Sequence, residues 1–185
     1  MASCNHGVRM TQDFDCPNCK LYDNTTIGLS AGPWLDMGAP CGFTVLTSGT
    51  FDVLHSGHIE LLSESRKLAG PDGKLVVGLN SDRFIEQYRG KPPVMSWDER
   101  ASILQSIRYV DSVVMNDGDS KVNISEVRPD ILTVGSDWAA KDIWTQMGIS
   151  HAWLTAVGAT LVYLPRPSDG PSSTQIKSMI SGGWQ

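Results

Sequence analysis

After Cys41 the chain contains no cysteine: all four, Cys4, Cys16, Cys19 and Cys41, fall in the first quarter of its 185 residues. Whatever chemistry the main body performs, it does not use a thiol. No apolar run approaches the length of a membrane span. The opening MASCNHGVRM has no apolar stretch of the secretory kind, so the expectation is a cytoplasmic protein. Basic residues are in the minority, 15 against 20 acidic ones, for a net charge of −5. A nucleic-acid-binding surface is usually basic, so that class is set aside. A small basic pocket for a phosphorylated substrate remains open. Histidine is scarce too, at four residues, yet His55 and His58 stand three apart.

What is present is ordinary for a soluble globular chain, 41% hydrophobic and 19% charged, and long enough for one domain with its own core. Residues 1–41 differ from the rest. They carry little periodicity and several turn signals, such as AGPW and GAP, and read as an irregular Cys/His-rich segment. Residues 42–185 read as the main domain. There, short apolar runs at 43–47, 74–80, 112–115, 131–135 and 160–165 predict buried strands. Helical patterns run from His58 to a closing Gly70, over 81–88, from a capping box at Ser96 and Glu99 to about Arg108, over 121–127 and over 149–158. A last helix begins near Ser172, where Ser172 and Gln175 form a second capping box. Apolar strands alternating with helices imply a parallel sheet buried on both faces, hence a doubly wound α/β fold of five strands. In such sheets ligands bind outside the carboxyl ends of the strands. The stretch TSGTFDVLHSGH follows the first strand directly and should line that site.

Two histidines at i, i+3 can be mere helix neighbours. They could also be metal ligands, but zinc needs further ligands and none is obvious nearby. The glycines tip the balance. Gly49 lets the turn after the strand pass close to a ligand, and Gly57 opens the helix. A helix N-terminus offers free N–H groups and the positive end of a dipole, which suit phosphate. Imidazole N–H groups beside it can donate to phosphate oxygens. His55 and His58 are therefore read as grips on a phosphate chain.

At this point the residues resemble a known family. GTFDVLHSGH matches the H-x-G-H motif of the nucleotidyltransferase superfamily. RYVDSVV at 108–114, GSDW at 135–138, and YLPR followed by GPSSTQI resemble, in the same order, segments of the cytidylyltransferases, most of all bacterial glycerol-3-phosphate cytidylyltransferase. The resemblance covers about residues 42–182. It implies a Rossmann-like domain that moves a cytidylyl group from CTP to a small phosphorylated alcohol, such as glycerol 3-phosphate, with release of pyrophosphate. An ATP-dependent adenylyltransferase of the same superfamily is the alternative, and a non-catalytic binding or scaffold protein is the third class. Magnesium would travel with the nucleotide, and members often pair as homodimers.

By the resemblance, His55, His58, Lys91 and Arg166 would be catalytic. Gly49, Thr50, Phe51, Gly57, Arg89, Arg108, Asp137, Trp138, Ser172, Ser173 and Thr174 would bind nucleotide or phosphate. Asp52 is a weaker candidate, structural or near the metal, and His151 an ordinary surface or core residue. The chain departs from the family at Arg89, which stands where a lysine is usual, and in the sequence around 141–158. Both changes touch the acceptor side more than the histidine pair.

The resemblance is silent on the first segment. Cys4-x-His6 and Cys16-x-x-Cys19 offer four soft ligands in two close pairs, enough for a structural zinc site, and Cys41 could replace either member of the first pair. Reduced free thiols, or disulfides in an exported protein, are the other readings. Zinc would act as a staple for a segment with so little apolar patterning.

Overall fold

The computed structural model describes residues 42–139, 142–165 and 173–181. Cys4, His6, Cys16, Cys19, Cys41, Arg166 and Ser172 lie outside them. So does the first domain boundary expected at residue 41.

Five strands form the sheet: β1 (Thr44–Gly49), β2 (Lys74–Asn80), β3 (Ser112–Asn116), β4 (Ile131–Gly135) and β5 (Thr160–Leu164). All pairs are parallel and the order is β3-β2-β1-β4-β5. The helices are α1 (Ser56–Ala69), α2 (Asp82–Arg89), α3 (Trp97–Gln105), α4 (Ser120–Val127), α5 (Ile143–Met147), α6 (His151–Ala156) and α7 (Ser173–Ser181). This is the doubly wound, Rossmann-like arrangement that the strand pattern predicts.

Each strand of the sheet's centre is apolar on both faces because helices cover both. Val45, Leu75, Val77 and Leu79 point to one face, where they meet Leu62 and Ala69 of α1 and Ala101 and Leu104 of α3. Leu46, Val76 and Leu132 point to the other, against Ile124 of α4 and Leu154 of α6. Three buried hydroxyls lie in this core: Ser65 Oγ and Thr133 Oγ1 lie 2.8 Å apart, and Thr47 Oγ1 donates to the Thr133 carbonyl at 3.0 Å.

Caps set the helix ends. The Ser96 hydroxyl accepts from the Glu99 N–H while the Glu99 carboxylate accepts from the Ser96 N–H, the reciprocal capping box predicted for α3. Ser81 caps α2 and Gly90 closes it in the left-handed conformation.

Three boundaries differ from expectation. β1 runs over Thr44–Gly49, two residues further towards the site than 43–47, because its pairing with β2 continues to Leu79. Helix α3 stops at Gln105, short of Arg108, and the chain then turns so that Ile107, Tyr109 and Val110 pack on the core. The helix expected over 149–158 is shorter, α6 over His151–Ala156, and a separate helix that was not expected, α5 over Ile143–Met147, precedes it. Gly148, at φ 62°, ends α5, and Ser150 caps α6 afresh.

Candidate active site

The strand order reverses between β1 and β4, and a cavity of about 420 Å³ opens at the carboxyl ends of the strands there. Its floor is the loop from β1 to α1. Two non-glycine residues of that loop, Phe51 and Val53, hold positive φ angles of 47° and 53°. Such backbone is strained by an amount on the order of 1 kcal/mol or more per residue and persists only where packing enforces it. Phe51 supplies that packing: it is buried in the core, and its ring covers Gly49 so closely that a Cβ there would lie 3.0 Å away. Gly49 is thus needed first for the Phe51 ring, and the close approach to a ligand expected of it comes second.

The loop delivers His55 to the N-cap of α1 with extended backbone. No side chain caps this helix, and its first turn holds no acidic residue. The positive end of its dipole therefore faces the cavity with no acid in its own first turn, while Asp52, paired with Lys177, and Glu60 also line the cavity. The His55 and His58 rings stack with centroids 3.9 Å apart, and His58 also tilts against Phe51 at 5.2 Å. Both histidines and Gly57 line the cavity.

Other residues expected at the site gather here. Gly49, Thr50, Phe51, Arg89, Trp138, Ser173 and Thr174 all line the cavity. Thr50 shares a 2.8 Å hydrogen bond with the Tyr88 hydroxyl, which joins the loop to α2. The Arg89 guanidinium lies 5.3 Å from the centre of the Tyr88 ring, a cation–π contact that aims it along the rim. Trp138 ends a single 3-10 turn, Ser136–Trp138, directly after β4. The backbone of Asp137 belongs to that turn, and its side chain lies outside the described atoms.

Two expected residues are placed elsewhere. Lys91 is exposed in the loop after α2 and does not line the cavity. Arg108 is exposed as well, its guanidinium 5.3 Å from the Tyr109 ring. It precedes β3, at the amino ends of the strands, where Asp111 accepts the Leu75 N–H at 2.7 Å. The cavity is at the opposite end of the sheet, so Arg108 cannot reach a ligand held by the histidines of the same chain. His151 is exposed and meets the Trp144 ring edge-on at 5.7 Å, as its ordinary reading implied.

Two further residues, one outside the motifs and one only a weaker candidate, hold the site together. Arg100 of α3 is fully buried. It donates to the carbonyls of Met95 at 3.0 Å, Thr50 at 2.6 Å and Asn80 at 2.9 Å, and pairs with Asp82 at 2.5 Å. A guanidinium with five fixed donors suits this task. The signal was in the sequence: Trp97, Arg100, Ala101 and Leu104 share one face of α3, and an arginine on an apolar face needs partners. Asp52 is the second. Its buried carboxylate accepts the N–H groups of Val94 at 2.9 Å and Met95 at 3.1 Å and pairs with Lys177 of α7. Burial pushes this carboxyl up, but the Lys177 and amide hydrogen bonds outweigh it and hold it below the usual aspartate range.

The chain is similar to known proteins. The chain is 36% identical over 140 residues to glycerol-3-phosphate cytidylyltransferase of Bacillus subtilis (strain 168), covering 75% of this chain and 97% of that one. It is 33% identical over 139 residues to FAD synthase of Korarchaeum cryptofilum (strain OPF8), covering 75% and 92%. It is also 41% identical over 101 residues to the bifunctional protein HldE of Campylobacter concisus (strain 13826), a stretch that is 54% of this chain and 21% of that longer protein. Among solved structures, the lipopolysaccharide core biosynthesis protein from Thermoplasma volcanium GSS1 matches with a TM-score of 0.54 at 30% identity, over 68% of this chain and 98% of that one. The cytidylyltransferase-like sequence pattern matches residues 46–179, from β1 with its histidine loop to α7. The chain therefore belongs to the cytidylyltransferase-like family and is a nucleotidyltransferase.

Proposed function

We propose that this enzyme transfers a cytidylyl group from CTP to a small phosphorylated alcohol of the glycerol 3-phosphate kind and releases pyrophosphate. The observation that carries the reading is the stacked pair His55 and His58 at the uncapped N-terminus of α1, on the floor of the cavity. The similarity to glycerol-3-phosphate cytidylyltransferase along nearly that enzyme's whole length supports the same substrates.

The chemistry asks little of the protein beyond alignment and charge. A phosphate monoester oxygen is already anionic near neutral pH and needs no general base. It attacks the α-phosphorus in line; the new P–O bond forms as the bond to the β-phosphate oxygen breaks, and pyrophosphate leaves with the electron pair. The histidines and the α1 N-terminus spread the charge that builds on the phosphate oxygens. Arg89 at the rim, with Ser173 and Thr174 at the start of α7, adds donors on either side. In this reading, as the family resemblance implies, Lys91 and Arg166 would add positive charge for the triphosphate.

Magnesium would accompany the triphosphate and neutralise part of its charge. The described residues suit an ion carried by the nucleotide, since they contain no cluster of three metal-binding side chains, and Asp52 is already bound to Lys177 and two amides. The similarity to FAD synthase favours ATP as the alternative donor.

The test is pyrophosphate release in the presence of magnesium, with CTP or ATP, with and without glycerol 3-phosphate. Release is expected with CTP only when glycerol 3-phosphate is present. His58→Ala should lower it by about a hundredfold or more, the usual cost of one charge-stabilising donor. Release with ATP in place of CTP moves the enzyme to the adenylyl branch. Nucleotide binding without release, under all four conditions, rules out glycerol 3-phosphate.

A further inference from the structure

The cavity changes in the character of its wall along the sheet. Beyond β4 and β5 its wall includes Trp138, Ile143, Met147 and Leu164, an aromatic and apolar surface of the kind a base stacks on. Over the carboxyl ends of β1, β2 and β3 the wall is made by Ser48, Asn80, Asn116, Ser120 and Asn123. These five are polar and uncharged, and can meet hydrogen-bonding groups; Leu46, Phe84 and Ile124 line the cavity as well.

Asn123 differs from its neighbours. Asn116 Nδ2 donates to Asn80 Oδ1 at 2.8 Å, and Asn116 Oδ1 accepts the Gly118 N–H at 3.2 Å, so those two side chains are engaged. Asn123 is only 5% exposed, and its Nδ2 has no hydrogen-bond partner among the described residues. A buried polar group left unpaired costs about 1–3 kcal/mol, so a partner arriving with a ligand would recover that cost. The sheet is bare beneath this amide. A Cβ on Gly78 of β2 would lie 3.3 Å from Asn123 Nδ2 and 2.5 Å from Ser48 Oγ, so glycine keeps the space that both polar groups occupy.

We propose that Asn123 is a specificity-determining residue: its Nδ2 donates a hydrogen bond to a hydroxyl or carbonyl oxygen in the non-phosphate part of the acceptor. The inference rests on the reading of the cavity as a nucleotidyl-transfer site with a phosphorylated acceptor. An N–H in this place donates to an oxygen and finds no acceptor in a methylene or an ammonium. A site built around such a bond discriminates against analogues that lack the oxygen.

The test compares the full-length wild type with Asn123→Leu, similar in shape and lacking the donor. Each is saturated with an α,β-methylene nucleotide, the CTP and ATP forms in parallel. Glycerol 3-phosphate and 1-propyl phosphate, which has the same chain without free hydroxyls, are then titrated by calorimetry. The wild type should bind glycerol 3-phosphate about tenfold more tightly or better. Asn123→Leu should bind the two alike. Without ligand the variant should melt no lower than the wild type, because it replaces an unpaired buried amide by an apolar group. The proposal is overturned if the wild type does not distinguish the two esters, including by binding neither. It is equally overturned if Asn123→Leu keeps the preference; a lower melting point would then mark the amide as structural. Failure of the nucleotidyl-transfer reading looks different: no pyrophosphate from the natural nucleotides while the preference for glycerol 3-phosphate persists.

Discussion

Asp52 sits almost wholly out of solvent and holds three segments at once: its own loop, the turn at Val94 and Met95, and α7 through Lys177. Its carboxyl ionises below the usual 3.8 because charge-assisted hydrogen bonds outweigh the effect of burial. A depressed folded value means that its contribution to stability is complete above the unfolded value of about 3.9, and is lost as the pH falls through the folded one. Asp52→Asn should cost about 3 kcal/mol at neutral pH, since hydrogen bonds to a charged group are among the stronger ones. The difference between wild type and variant should shrink below about pH 4, which urea midpoints measured from pH 7 down to the acid limit will show. A constant difference over that range would mean that the charge does not matter. At this same level the sequence reading was uneven. His55 and His58 were legible because motif and helix terminus coincide. Asp52 was left as a weak candidate because its partners, Val94, Met95 and Lys177, are 42, 43 and 125 residues away.

Helix α1 starts without an N-cap side chain and without an acid in its first turn. For a helix alone that is a defect; in the proposed reading it leaves the terminus open to phosphate. Ser56→Asp should therefore act in opposite directions on stability and function. An acid at the first helical position stabilises by about 0.3–1 kcal/mol through the dipole. The same charge should repel a triphosphate and weaken nucleotide binding by tenfold or more. Thermal melts with and without CTP report both: the unliganded variant should melt slightly higher, and the shift produced by CTP should be smaller. Losing both would point to a damaged loop. Elements were the most legible part of this chain. The strands over Lys74–Asn80 and Ile131–Gly135 stand where their apolar runs predict, and the capping box at Ser96 forms. The misses fall at ends, where local signals compete. Gly148 is a stop and Ser150 a start, so α5 before them is absent from the periodicity reading and α6 is shorter than 149–158.

The molecule as a whole is a sheet whose carboxyl-end loops must agree on one geometry. Arg100 enforces much of that agreement, since it grips Thr50 after β1, Asn80 at the end of β2, and Met95 before its own helix. Arg100→Met would leave three carbonyls without their donor. At about 1 kcal/mol or more for each, global stability should fall by roughly 3 kcal/mol, read as a lower urea midpoint. Nucleotide affinity should fall with it, because the Thr50 carbonyl anchors the loop that carries the histidines. An unchanged midpoint would mean that water replaces the guanidinium.

Periodicity, caps and the histidine motif are short-range properties, and they were enough to specify the five strands, most of the helices and the loop that lines the cavity. The parallel order followed from them, because apolar strands joined by helices have few other ways to bury both faces. The partners of Asp52, the three carbonyls held by Arg100, the distance of Arg108 from the cavity and the unpaired amide of Asn123 over Gly78 depend on which strand ends become neighbours. Those contacts join residues that are far apart along the chain and close only in the folded sheet, so only the tertiary structure could decide them.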